Sequence, residues 1–200
     1  MRSPPIQKRS IETVHRILSA SANLLREHPF SDVSTTMIAE AAFVSPGTVY
    51  KYFADKEAIY LRAYETTASR CANEMRQALI SRVDSPIETS LPQLVELMLS
   101  LHEENRTILI DLVEQAPDVI HSVRSLAVDN LVKETSHIYL QSQNKKLDEI
   151  ALRTCIYFLI RNVIVESVRR YILENRTDIE RRIFVDETAK IAYLYFRCHE

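Results

Sequence analysis

Ser34-Thr35-Thr36-Met37-Ile38-Ala39-Glu40-Ala41-Ala42-Phe43-Val44-Ser45-Pro46-Gly47-Thr48-Val49-Tyr50-Lys51-Tyr52-Phe53 reads as two short helices joined by a tight turn. Ser34 and Ser45 each stand where a hydroxyl can accept a bond from the free N–H groups of a helix start. Pro46 follows at the first helical position, where its missing N–H costs nothing. Ile38, Ala41 and Ala42 recur at helical spacing, as do Val49 and Phe53, and these face inward. The rest of the second helix offers Pro46, Gly47, Thr48, Tyr50, Lys51 and Tyr52, a face that is small at its start, then hydroxyl-bearing and basic. Such a surface can enter a DNA major groove and reach phosphates on either side. Gly47 is the only glycine among 200 residues. It costs about 1 kcal/mol relative to alanine in a helix interior, so its place here points to something that comes close to the backbone.

Continued through Ala54-Asp55-Lys56-Glu57, the stretch from Ile38 resembles the DNA-binding signature of the tetracycline-repressor-like (TetR-type) family. That signature runs isoleucine-alanine, a small pair, valine-serine, a small residue and threonine, tyrosine-x-tyrosine-phenylalanine, then lysine-glutamate. The resemblance spans Ile11 to Tyr64. It implies an all-α fold, with a three-helix helix-turn-helix head on residues 1–54 and a ligand-binding and dimerisation body on residues 55–200. It also implies that Thr35, Thr36, Tyr50 and Lys56 contact phosphate or nearby bases, and that Pro46, Gly47, Thr48 and Tyr52 meet base edges. Hydroxyls and a lysine at helix starts suit phosphate oxygens, and a threonine methyl suits a thymine methyl. Lys51 reads as a guanine contact or, equally, a lysine facing phosphate or solvent. Phe43 departs from the family, which usually has glycine in the turn. A bulky residue there must either accept a left-handed backbone or belong to a differently built turn.

The composition agrees with a helical chain. One glycine and seven prolines leave few turn formers for a sheet-rich fold. Charge is unevenly placed: residues 1–62 hold eight Lys/Arg and six Asp/Glu, the rest 17 and 21, so the small basic excess lies with the proposed head. Arg2, Lys8 and Arg9 read as an arm ahead of the first helix, either binding phosphate or simply solvated. Cys71, Cys155 and Cys198 are odd in number and widely spaced, and form no metal motif or disulfide framework. No signal peptide and no apolar run of membrane-spanning length is found, so a cytoplasmic protein without metal or cofactor is expected. Enzymatic motifs are missing: no phosphate loop, no nucleophile-elbow serine, no zinc-binding histidine pair. His102-Glu103-Glu104 lacks a second histidine and reads as a solvated helix end.

Further along, helical periodicity predicts a head helix over 11–28, a long helix from Asp55 to about Arg82, and body helices near 87–103, 105–115, 119–143, 147–174 and 178–198. Breaks fall at Asp84-Ser85-Pro86, Pro117-Asp118, Asn144-Lys145-Lys146 and Asn175-Arg176-Thr177. The run from Cys155 to Val165 is apolar on nearly all sides, as a helix buried all round would be. The resemblance implies that the last two helices, about 147–198, form a four-helix interface in a homodimer; the alternative is monomer core. Arg161, inside that run, needs a partner: a ligand carboxylate, or an acidic residue on a neighbouring helix or across the dimer. A small, mostly apolar effector is expected among Leu97, Leu101, Leu109, Leu112, Val113, Tyr139, Tyr157 and Arg161. The expected function is a sequence-specific DNA-binding regulator, a repressor released from a palindromic operator by that effector. Its rivals are an effector-independent DNA-binding protein of the same fold and a helical ligand carrier with a vestigial head.

Overall fold

The computed structural model describes residues 5–142 and 149–198, among which no strand occurs. The helices are α1 (Pro5–Glu27), α2 (Thr35–Ala41), α3 (Pro46–Tyr52), α4 (Lys56–Ile80), α5 (Ile87–Glu104), α6 (Leu112–Gln115), α7 (Pro117–Ser142), α8 (Glu149–Phe158), α9 (Glu166–Leu173) and α10 (Arg181–Arg197). Wider, π-wound turns at Thr107–Asp111 and Leu159–Val165 run directly into α6 and α9. Proline opens α1, α3 and α7, each time at the position where a helix has no use for the N–H. α1 therefore begins at Pro5, ahead of the apolar stripe, and Lys8 and Arg9 belong to it rather than to an arm before it. Arg2 and the break at Asn144-Lys145-Lys146 lie outside the described residues, as does the side chain of Lys8.

The chain forms two compact units. The first is Met1–Thr67 with Thr107–Val123. Its centre is Ile17, Ile38, Val49, Ile59 and Tyr60, all fully buried, with Val33 and Phe53 closing it. The Tyr60 hydroxyl donates to the Ser21 carbonyl (2.9 Å), and burial pushes its acidity well below that of a free phenol. Two side-chain bonds tie the returning segment into this unit: Arg26 Nε donates to Thr107 Oγ1 (3.3 Å) and the Phe30 N–H donates to Gln115 Oε1 (2.7 Å).

The second unit is Ala68–Arg106 with Arg124–Glu200. α10 lies along α5, burying Val185, Ala189, Ala192 and Phe196 on one side and Val95, Leu99 and Leu101 on the other. Arg181, in the first turn of α10, fixes the register by reaching Glu96 (2.8 Å), Ser100 (3.0 Å) and Glu103 (2.5 Å) on α5. Glu103 and Glu104 are exposed at the end of α5, as expected of a solvated helix end, although Glu103 pairs with Arg181 and the His102 ring is half-buried with Nδ1 at 2.8 Å from the Met98 carbonyl. Glu166 gathers Arg169 (2.6 Å), Arg170 (3.0 Å) and Arg124 (3.8 Å), and the Arg169 bond above all lowers its carboxyl to about 2.

The run from Cys155 to Val165 is covered on one face by its own chain. Cys155, Ile156, Leu159 and Ile160 are buried, while Tyr157, Phe158 and Asn162 are exposed and Val163–Val165 are half-buried. The sequence is apolar all round, but within this chain the helix is covered on one side only.

Candidate nucleic-acid interface and effector cavity

Both short helices of the head start as their sequence dictates. Ser34 Oγ accepts from the Met37 N–H (3.2 Å) and Ser45 Oγ from the Thr48 N–H (3.2 Å). Ser45 also bonds the Thr48 hydroxyl (2.9 Å), which holds that side chain at the tip of α3. Between the helices the Phe43 N–H donates to the Glu40 carbonyl and the Val44 N–H to the Ala39 carbonyl, both at 3.0 Å. This double bond pattern ends a helix with a left-handed residue, normally glycine, just past its cap. Phe43 fills that place with φ at 55°, and its ring is 88% exposed. The turn keeps its geometry and the phenylalanine accepts the strain, with no burial of the ring to offset it. Phe43→Gly is accordingly expected to raise head stability by about 1 kcal/mol, the left-handed penalty less the entropy cost of glycine. A denaturant melt reads this, and a loss of stability would mean that the ring has a packing role.

α3 presents two unlike faces. Val49 is fully buried against the head core. Pro46, Gly47, Tyr50 and Lys51 are exposed and Thr48 is half-buried. The Tyr50 hydroxyl lies 3.4 Å from Thr35 Oγ1, so hydroxyls from α2 and α3 meet at one edge, next to exposed Thr36. Tyr52 is half-buried and its hydroxyl accepts from Ser10 Oγ (3.1 Å), which links α3 to α1. Lys51 Nζ stands 5.8 Å from the Tyr52 ring centroid.

Lys56 has a role the sequence did not disclose. Its ammonium donates to the carbonyls of Phe30 (2.8 Å), Ser31 (3.2 Å) and Val33 (3.0 Å) and sits 4.5 Å from the Phe30 ring centroid. An ammonium has three donors, and three carbonyls occupy them here. Lys56 holds the loop between α1 and α2, so its removal is a test of the loop as much as of any phosphate contact.

The second unit contains a cavity of about 360 Å3. Its wall is mostly apolar and drawn from several helices, including Met75, Leu79, Met98, Leu131, Ile160 and Phe196. Thr135 is also in the wall, and its Oγ1 is buried without a hydrogen-bond partner among the described residues. The expected ligand-lining set lies elsewhere. Leu109, Leu112 and Val113 are buried in the first unit, Leu101 is buried on α5 and Leu97 half-buried, and none of these lines the cavity. Tyr157 is exposed and Arg161 half-buried, with the guanidinium 6.0 Å from the Tyr157 ring centroid; neither lines the cavity. The side chain of Tyr139 is outside the described ones. Ser85 and Pro86, in a segment the sequence marks only as a chain break, also contribute to the wall.

Residues 17–63 match the family model described as bacterial regulatory proteins, tetR family. The HTH-type transcriptional regulator EthR of Mycobacterium tuberculosis is 36% identical over 73 residues, which is 36% of this chain and 32% of EthR. The chain thus spans about a third of the length of the curated relatives it matches. Among solved structures, a TetR-family transcriptional regulator from Mesorhizobium loti superposes with a TM-score of 0.71 at 17% identity, covering 95% of this chain and 97% of that one. The transcriptional regulator FadR from Bacillus subtilis, solved in complex with stearoyl-CoA, superposes with a TM-score of 0.57 at 17% identity over 91% and 97% of the two chains. Among the described residues no helix is long and apolar enough to cross a membrane.

Proposed function

With a head that belongs to the TetR family of bacterial regulatory proteins, we propose that this protein is a sequence-specific DNA-binding regulator of transcription, a cytoplasmic repressor released by a small apolar effector. The observation that carries the first half is the uncovered face of α3. A helix with one buried edge otherwise ends in charged, interchangeable residues. Here the outer face is proline, glycine, threonine, tyrosine and lysine, backed by the hydroxyl edge at Tyr50 and Thr35. Small groups let a major groove close on the helix start, and hydroxyls suit phosphate oxygens beside it. Thr36 and Lys51 extend the same surface.

A second copy of the chain is the other partner of this reading. Ile150 is 78% exposed, and Ile183, Ile191 and Leu194 are each 54% exposed, with Phe158 stacked on Tyr195 (5.0 Å) between α8 and α10. Exposed large apolar side chains on neighbouring helices suit an interface. A two-fold dimer built through α8–α10 reads a palindrome, with half-site centres about one helical turn or a multiple apart. Arg161, in the π-wound turn after α8, stands 6.0 Å from the ring of exposed Tyr157 and does not line the cavity, which favours a role at that interface over one in the cavity.

The effector enters the reading through the cavity. A hydroxyl buried without a partner in an apolar wall is a cost that a ligand's polar group removes. The cavity favours this form of the function over an effector-independent DNA-binding protein. Effector and DNA then lower each other's affinity by the same factor. Selection of binding sites from random duplexes tests the whole proposal. A palindrome should be enriched by the full-length protein. No enrichment at low salt, where phosphate contacts are strongest, would leave a ligand carrier as the better reading.

A further inference from the structure

The cavity of the second unit carries information about the head group of what it binds. Two arginines, Arg82 and Arg197, are among the residues of its otherwise mostly apolar wall, and no Asp or Glu is among the described lining residues. The two arginines differ. Arg197 lies 6.0 Å from the Tyr193 ring centroid, and Tyr193 in turn donates to Glu88 (2.7 Å), so a carboxylate is already near it. Arg82 is half-buried and satisfied by neutral acceptors alone: its Nε donates to Gln93 Oε1 (2.9 Å), and its Nη1 to the Ala78 carbonyl and Ser81 Oγ (both 3.0 Å). Gln93 and the end of α4 thus hold the group without neutralising it. A partly desolvated cation of this kind gains most from an anion, because a charge-assisted bond is roughly twice as strong as a neutral one.

Resting on the effector reading above, we infer that the cavity takes a small amphipathic acid, with an apolar tail among the helices and a free carboxylate on Arg82. The size follows from the volume. A cavity of about 360 Å3 is at the small end of ligand pockets, which suits an acid of roughly ten carbons. A bulky cation at the same end would meet two arginines. An alcohol of equal length would fill the cavity and leave Arg82 as it is.

Calorimetric titration of the full-length protein with sodium decanoate, decan-1-ol, decylamine and decanoyl-coenzyme A, all below micelle formation, tests the inference. Decanoate should bind about ten- to a hundredfold more tightly than decanol, as a charged hydrogen bond requires, and decylamine should not bind. Arg82→Gln should make decanoate and decanol equivalent, while Arg82→Lys should keep most of the preference. The ratio between ligands is the decisive readout, since a variant that merely loosened the fold would weaken both alike. Equal binding of acid and alcohol by the wild type would overturn the inference, as would an Arg82→Gln variant that still prefers the acid. Tighter binding of decanoyl-coenzyme A than of decanoate would overturn the free carboxylate in favour of a thioester. Failure of all four probes would overturn the ligand class. Decanoate that binds through Arg82 but does not displace the protein from its selected site would leave this inference standing and remove the regulatory reading instead.

Discussion

Glutamate at both Ile191 and Leu194 is expected to yield a folded monomer whose affinity for a palindromic site is lower by about two to four orders of magnitude. Both side chains are 54% exposed, so each contributes little to the fold of its own chain. The buried side of α10, with Val185, Ala189, Ala192 and Phe196, is untouched by the change, and so is the Arg181 contact to α5. In a two-fold interface every substitution occurs twice. Four carboxylates would then face an apolar surface that includes Ile150 and Ile183, and a desolvated charge without a partner is far more costly than the burial it replaces. The large effect on DNA comes from linkage, not from contact. One head bound to a half-site holds its partner at high local concentration near the other, and a monomer forfeits that gain. Sedimentation and melting curves should show a monomer with intact helices. A variant that stays dimeric at wild-type affinity would place the interface on some other surface.

How far the sequence could be read depended on how local the physics was. The head was legible because each of its signals acts within one turn of helix. Ser34 and Ser45 cap N–H groups three residues on, and Pro46 sets the φ of its own position. Ile38, Ala42, Val49 and Phe53 bury as their spacing demands, while Ala41, expected to face inward with them, is exposed. The starts of α2 and α3 followed for the same reason, while α1 begins at Pro5, ahead of the stripe from which it was read.

What stayed hidden was built from distant pieces. The carbonyls that occupy Lys56 belong to Phe30, Ser31 and Val33, and their convergence depends on how the loop after α1 folds back. Nothing in the spacing of residues 107–123 says that they join the head, since the deciding bonds are single side chains, Arg26 to Thr107 and Gln115 to the Phe30 N–H. The expected lining residues differ from the wall of this cavity because apolar periodicity identifies the inner face of a helix but not whether that face meets another side chain or a void. Leu101 and Leu112 obey the same pattern as Met98 and Leu131, and only the latter pair borders space. Arg82 was passed over because it stands at the end of a long helix next to a break, where an arginine is usually solvated. Phe43 shows the reverse case: the departure was visible at once, and the structure resolves it as a strained but regular turn.

Gly47 should separate fold from function in a single position. No intramolecular reason requires a glycine there: its φ is not positive, and an added Cβ would meet only Ser45 Oγ, at 3.9 Å. Alanine is the better helix former by about 1 kcal/mol, so Gly47→Ala is expected to raise the melting stability of the head slightly. If α3 enters a major groove by its first turn, the same methyl group lies where base edges or the sugar-phosphate wall approach. The affinity for the selected site should then fall about tenfold for alanine and at least about a hundredfold for Gly47→Gln, whose longer side chain also removes hydrogen-bonding partners from the groove edge. The two effects have opposite signs, which no general loosening of the head can imitate. Both variants should keep the dimer and the cavity, since α10 and the cavity wall lie in the other unit. Stable variants that bind the selected duplex as well as the wild type would mean that DNA does not approach this turn, and the interface would have to be sought away from the exposed face of α3.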